Sequence, residues 1–236
     1  MKALTSIFIF MIVLTGCSNE DSIQQALESH PVSFYKKAGG EPANPANGND
    51  AAGSVYMDLL DAYYTTPPAD NTLQAIIAFG EAVAFAHPLY GSLPGAQDYQ
   101  PISPGDIVPY LNADDQDIKT LLCEGYAPEA KAYLKAMTTE LARLKAAGAP
   151  YGEAYSYLIA FETEVAKAKS ISLNEAAAIL TTTSILRYGM YHDKKRRRRD
   201  RDWDWMTGNI AATANAALES QPQAILTSFA TDVYVN

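Results

Sequence analysis

Between positions 194 and 205 the chain carries Lys194, Lys195, Arg196, Arg197, Arg198, Arg199 and Arg201, with Trp203 and Trp205 at the far end and Asp200, Asp202 and Asp204 interleaved. Seven of the 18 basic side chains therefore sit in one short segment of a protein whose net charge is −9. Cations beside indoles suit phosphate-bearing lipid headgroups, because each Lys or Arg near an anionic surface contributes about 1 kcal/mol and Trp favours the interfacial layer. The competing reading is a solvated helix connection whose charge offsets an acidic body, the usual fate of a charge run. Salt and lipid composition would act differently on the two. Nucleic acid is not an expected partner, since the interleaved aspartates dilute the field.

Little else in the sequence has the spacing of a reactive centre. His30, His87 and His192 are far apart and form no H-E-x-x-H pattern, so no metal site and no cofactor is expected. There is no G-x-S-x-G elbow and no phosphate-binding glycine loop. Cys123 has no histidine near it in sequence and reads as a small buried hydrophobe. Glu162 and Glu164 fall on different faces of one helix. A pair of carboxylates for hydrolysis would have to be gathered by tertiary folding, and the stretch 88–113 is where we expect it, in a deep acidic pocket.

Two further patterns concern packing. Gly208, Ala212 and Ala216 recur at every fourth position, which lets helices approach closely within one chain or between copies as a homo-oligomer. Bilayer insertion of that helix is disfavoured by Asn209, Asn215, Glu219 and Gln221. Tyr63, Tyr64, Tyr151, Tyr155, Tyr157, Tyr188 and Tyr191 lie mostly on apolar helix faces, whereas Tyr90, Tyr99 and Tyr110 fall in the long loop.

At the amino terminus, Lys2 precedes an apolar run from Leu4 to Val13 that closes on Leu14-Thr15-Gly16-Cys17. That is a signal-peptide layout, too short to span a bilayer stably. Leu14 to Cys17 resemble the lipobox of bacterial lipoproteins, and the resemblance covers the first seventeen residues only. It implies a diacylglyceryl group and an acyl chain such as palmitate on Cys17, cleavage before that residue, and a mature protein held to a membrane of the cell envelope. Multiple acyl chains anchor stably where one binds marginally. Ser18 in the following position resembles lipoproteins sent on to the outer membrane, and Asn19, Glu20 and Asp21 resemble a surface-export signal.

Cleavage would remove only one charge, that of Lys2, leaving an acidic body of roughly 220 residues, long enough for a real core. The stretch from Lys36 to Gly53 is Gly, Pro, Ala and Asn with little to bury, and reads as a flexible tether or loose surface loop. A short helix is expected over Ser22 to His30. Helical periodicity starts near Ser54 and ends at Pro67-Pro68, and a second helix capped by Asp70 runs to His87-Pro88. After the Pro/Gly-rich loop a helix should open at Asp114 or Asp115. The clearest helix starts at Pro128, carries Leu134, Met137, Leu141 and Leu144, and stops at Gly148. A short turn at Pro150 predicts an antiparallel partner through Val165. Ser172 to Glu175 is a capping box for a helix to about Tyr191. Met206 to Leu218 and Gln223 to Tyr234 read as two more helices split at Pro222.

The expected organisation is a signal peptide over 1–16, a lipidated cysteine and tether over 17–53, and one all-α domain over 54–236. The fold class is a helical bundle of roughly six to eight helices with a long Pro/Gly-rich loop. The expected role is a non-enzymatic binding module that meets anionic headgroups or an envelope protein. A small envelope hydrolase, or a protein that self-associates or perturbs membranes through its C-terminal small-residue helix, are the alternatives.

Overall fold

The helix boundaries follow the caps that the sequence supplies. In the computed structural model, which describes residues 42–112, 125–197 and 207–235, the chain is an all-α bundle. Its eight described helices are α1 (Asp50–Thr65), α2 (Leu73–Ala86), α3 (Pro104–Asn112), α4 (Pro128–Ala146), α5 (Tyr151–Lys167), α6 (Leu173–Arg197), α7 (Thr207–Glu219) and α8 (Gln221–Val235). No strand occurs among the described residues. None of their helices is long and apolar enough to cross a membrane. The helices expected over Ser22 to His30 and from Asp114 or Asp115 lie outside the described residues, as does Cys123.

The capping box at the start of α6 forms as the sequence predicts: Ser172 Oγ accepts from Glu175 N at 3.2 Å while Glu175 Oε2 accepts from Ser172 N at 3.1 Å. Glu175 also accepts from Ala127 N at 2.7 Å, which ties the entrance of α4 to that of α6. Pro128 occupies the first turn of α4, where its missing N–H removes no bond, and Gly148 closes that helix with φ +64°. α8 begins after Ser220 alone, whose Oγ accepts from Gln223 N at 3.1 Å, so Pro222 sits harmlessly in the first turn.

Three boundaries differ from expectation. α2 is capped by Thr72, whose side chain accepts from Ala75 N at 3.3 Å; Asp70 instead accepts from Thr72 N and Oγ1, one step upstream. The described part of the stretch, 88–112, is less irregular than its prolines suggested, with 3-10 turns at Tyr90–Ser92 and Ala96–Asp98 and then α3. α3 survives its own Pro109 because Ser103 and Asp106 form a cap, Ser103 N and Oγ each donating to Asp106 Oδ2 at 2.8 Å. α6 runs on through Arg197, so the start of the basic segment is helical.

α8 is the central element and packs against α1, α2, α3, α6 and α7. Every residue from Gln221 to Thr231 is buried, as expected of a helix surrounded on all sides. Its hydroxyls are absorbed locally: Thr231 Oγ1 donates to Thr227 O at 2.8 Å and Ser228 Oγ to Asn209 Oδ1 at 3.0 Å. Ile76, Ile77, Val83 and Phe229 are all buried, and Gly80 of α2 leaves room for the Phe229 ring of α8; a Cβ there would lie 2.6 Å from it. The α4–α5 hairpin adds to the bundle through α6, burying Leu134, Met137, Leu141, Leu158, Phe161 and Val165.

Candidate functional site

Among the described residues the largest fully buried side chain is a charged one, Arg187 of α6, with no exposed surface. Its Nε donates to Glu162 Oε1 at 3.0 Å, and its Nη1 and Nη2 donate to Pro42 O and Asp50 Oδ1. Glu162, only 2 % exposed on α5, is completed by two amides: Asn44 Nδ2 donates to Oε2 at 2.6 Å and Asn47 Nδ2 to Oε1 at 3.0 Å. Asp50 accepts further from Asn44 N at 3.0 Å and from the Tyr188 hydroxyl at 3.2 Å. Burial alone would favour a neutral guanidine, yet Glu162 and Asp50 outweigh it and hold Arg187 above its ordinary range.

This constellation has the residue types of an active site and the connectivity of a clamp. Its carboxylates and guanidinium address one another and the backbone of 42–50, so the arrangement fastens a chain segment. The expectation of a flexible tether or loose loop over Lys36 to Gly53 is corrected for its described part. Residues 42–49 are pinned and Asp50 to Gly53 already belong to α1. Tyr155 donates to Ala43 O at 2.9 Å, and Gln221 Nε2 reaches Asn49 Oδ1 at 2.6 Å. Gly53 permits a close approach of α1 to α6: a Cβ there would sit 2.6 Å from Ser184 O.

His87 and His192 are placed apart. His87 is buried, accepts from Leu89 N at Nδ1 (3.1 Å) and so presents Nε2–H to Asp58 Oδ2 at 3.1 Å. Both ring nitrogens are engaged, which leaves no base for catalysis. His192 Nε2 lies 3.4 Å from Asp61 Oδ1. Among the described residues no group of three His, Cys, Asp or Glu is arranged to hold a metal ion.

The exposed charge lies at the end of α6, whose last turns carry Lys194, Lys195, Arg196 and Arg197. A bed of tyrosines supports them: Lys194 Nζ is 4.9 Å from the Tyr151 ring centre, Lys195 Nζ 5.4 Å from that of Tyr191, and the Arg196 guanidinium 4.6 Å from that of Tyr64. Tyr64 in turn stacks on His192, ring centres 5.4 Å apart. Arg196 also approaches Asp193 at 3.5 Å, and Lys195 and Arg196 remain exposed. Burial, then Asp232, pushes the Tyr64 hydroxyl up, so the ring under Arg196 stays neutral. Arg198, Arg199, Arg201, Trp203 and Trp205 lie outside the described residues, and so does Cys17.

Gly208, Ala212 and Ala216 are buried in this chain, on a helix that packs against α8, α6 and α3. Two of the three loop tyrosines prove to be packing groups. Tyr90 and Tyr99 make an edge-to-face cluster with Phe85 at 5.5 and 5.7 Å, and Tyr99 donates to Glu81 Oε1 at 2.6 Å. The third, Tyr110, accepts from Asn215 Nδ2 at 3.0 Å.

Sequence reasoning missed the Arg187 clamp. Its signals were a carboxylate and a guanidinium on otherwise apolar faces, at Glu162 and Arg187, and the regular spacing of Asn44, Asn47, Asp50 and Gly53. Compared with known proteins, the chain matches no family, no curated sequence and no solved structure.

Proposed function

We propose that this chain is the precursor of a bacterial envelope lipoprotein, anchored through lipid on Cys17 in the outer membrane, whose helical body is a non-enzymatic binding module. Its contact surface is the basic end of α6, Lys194 to Arg197, together with Arg198, Arg199, Arg201, Trp203 and Trp205 of the sequence that follows, and its ligands are anionic lipid headgroups. The observation that carries this reading is the contrast within α6: Arg187 is consumed inside the bundle, while Lys195 and Arg196 stand exposed on Tyr191 and Tyr64.

The hydrolase alternative called for a deep acidic pocket at 88–113; the pocket there does hold Asp106 and Glu219, but it is open and Asp106 Oδ2 is taken up by Ser103 N and Oγ in the α3 cap. Two other arrangements also speak against an enzyme. The buried Arg187 and Glu162 are engaged in the clamp, and the buried His87 has both ring nitrogens occupied. Self-association through Gly208, Ala212 and Ala216 draws no support from a stripe already buried within the chain.

Two experiments test the proposal. Membrane fractionation should find the full-length protein with the envelope, and Cys17→Ser should abolish acylation and prevent cleavage before that residue. Co-sedimentation of the chain from Ser18 onward should show binding to anionic but not neutral vesicles, lost when Arg196 to Arg199 are changed to Gln. Binding by neither vesicle type would return the segment to a solvated helix end.

A further inference from the structure

A second surface feature lies where α3, α7 and α8 meet, close to the carboxyl end of the long loop. It is an open pocket of about 350 Å³, within the range of ~300–1,000 Å³ usual for small-molecule sites. Three amides reach it from different segments: Gln100 from the loop, Asn215 from α7 and Gln223 from α8. Asp106 and Glu219 add carboxylates, and Tyr110 adds a ring and a hydroxyl held toward Asn215 at 3.0 Å.

The hollow exists because α7 carries small residues here. Ala212 and Ala216 line the pocket, so the four-residue spacing has a use beyond close helix packing. Larger side chains on that face would fill it.

From this lining we infer that the pocket binds a neutral, hydroxyl-rich ligand of the saccharide class. No Lys, Arg or His lines it, and two carboxylates do, which disfavours phosphate, sulfate or uronate. The amides both donate and accept, as vicinal hydroxyls do, and the carboxylates accept charge-assisted bonds from hydroxyl donors. A tyrosine ring gives a face for the C–H side of a sugar. Five of the six groups named are polar or charged apart from that ring, a chemistry poorly matched to a lipid chain. Gln100 and Glu219 are exposed, so either can be truncated without disturbing the core.

The test is calorimetric titration of the mature, detergent-solubilised protein with glucose, galactose and N-acetylglucosamine and their disaccharides, beside glucuronate and spermidine as charged controls. Saturable binding of at least one neutral sugar is expected, insensitive to salt and about tenfold weaker in Gln100→Ala and in Glu219→Ala, the loss of one good hydrogen bond. Ala216→Leu should abolish it by occupying the hollow. Saturation by spermidine or glucuronate in place of the neutral sugars, no saturation by any of them, or wild-type binding in both truncations would overturn the assignment.

Discussion

Arg187 and Arg196 lie on one helix and meet opposite fates. Arg187 is wholly buried and wrapped by Glu162, Asp50 and the carbonyl of Pro42, whereas Arg196 rests on the Tyr64 ring at the exposed end of α6. A buried guanidinium must be matched group by group, because an isolated ion in the interior loses several kcal/mol of hydration. An exposed one is shielded by water and salt and is cheap to hold, so it is available to a partner. The difference separates charges that make the fold from charges that a partner can meet, although both are arginines.

The sharpest way to break that division is at the clamp. Arg187→Met or Glu162→Gln should lower stability by about 3–5 kcal/mol, since each leaves buried polar partners unmatched. Chemical denaturation would read it, and a loss below about 1 kcal/mol would place these groups in a softer environment than the geometry implies. Gly53→Ala should cost about 1–3 kcal/mol by driving a methyl group into the Ser184 carbonyl and prying α1 from α6.

The clamp also marks where the sequence stopped being legible. Pro128, Gly148 and the Ser172–Glu175 box act on their immediate neighbours, so the limits of α4 and the start of α6 can be read locally. The amides of Asn44 and Asn47 find Glu162 more than a hundred positions away, which no local rule anticipates. A run of Asn, Pro and Gly looks the same whether it is solvated or bound in a polar interior. Likewise Pro104 and Pro109 made the stretch read as a loop, and the cap between Ser103 and Asp106 that lets a helix form there was not read. The pocket was not foreseen: Ala212 and Ala216 read only as close-packing residues, and the hollow beside them depends on three other segments.

Smaller effects are expected away from the clamp. Ser172→Ala should cost about 1 kcal/mol through loss of the α6 cap. Contact with Ala127 N, then with Ser172, holds the Glu175 carboxyl below its usual range. Its contribution is therefore present above the unfolded value of about 4.3 and fades as pH falls through the folded value. The gap between the Ser172→Ala protein and wild type should accordingly narrow in acid, where the Ser172-to-carboxylate bond is lost from both, as urea midpoints at descending pH would record. At the alkaline end, burial and then Asp232 push the Tyr56 hydroxyl up, and burial and then Asp50 do the same to Tyr188. Stability from these two is complete below about pH 10 and declines above it. Absorbance titration should find them ionising only as the protein unfolds.

Least of all should stability respond to Lys195→Gln with Arg196→Gln, a change of about 0.5 kcal/mol or less. The same pair decides the account. Partitioning of the chain from Ser18 onward onto anionic vesicles, followed as salt is raised, should weaken steadily for wild type. It should be roughly thirtyfold lower in the double variant, about 1 kcal/mol for each cation removed. Equal partitioning of the two proteins, or binding indifferent to salt and lipid charge, would contradict the assignment of the α6 end as the contact surface.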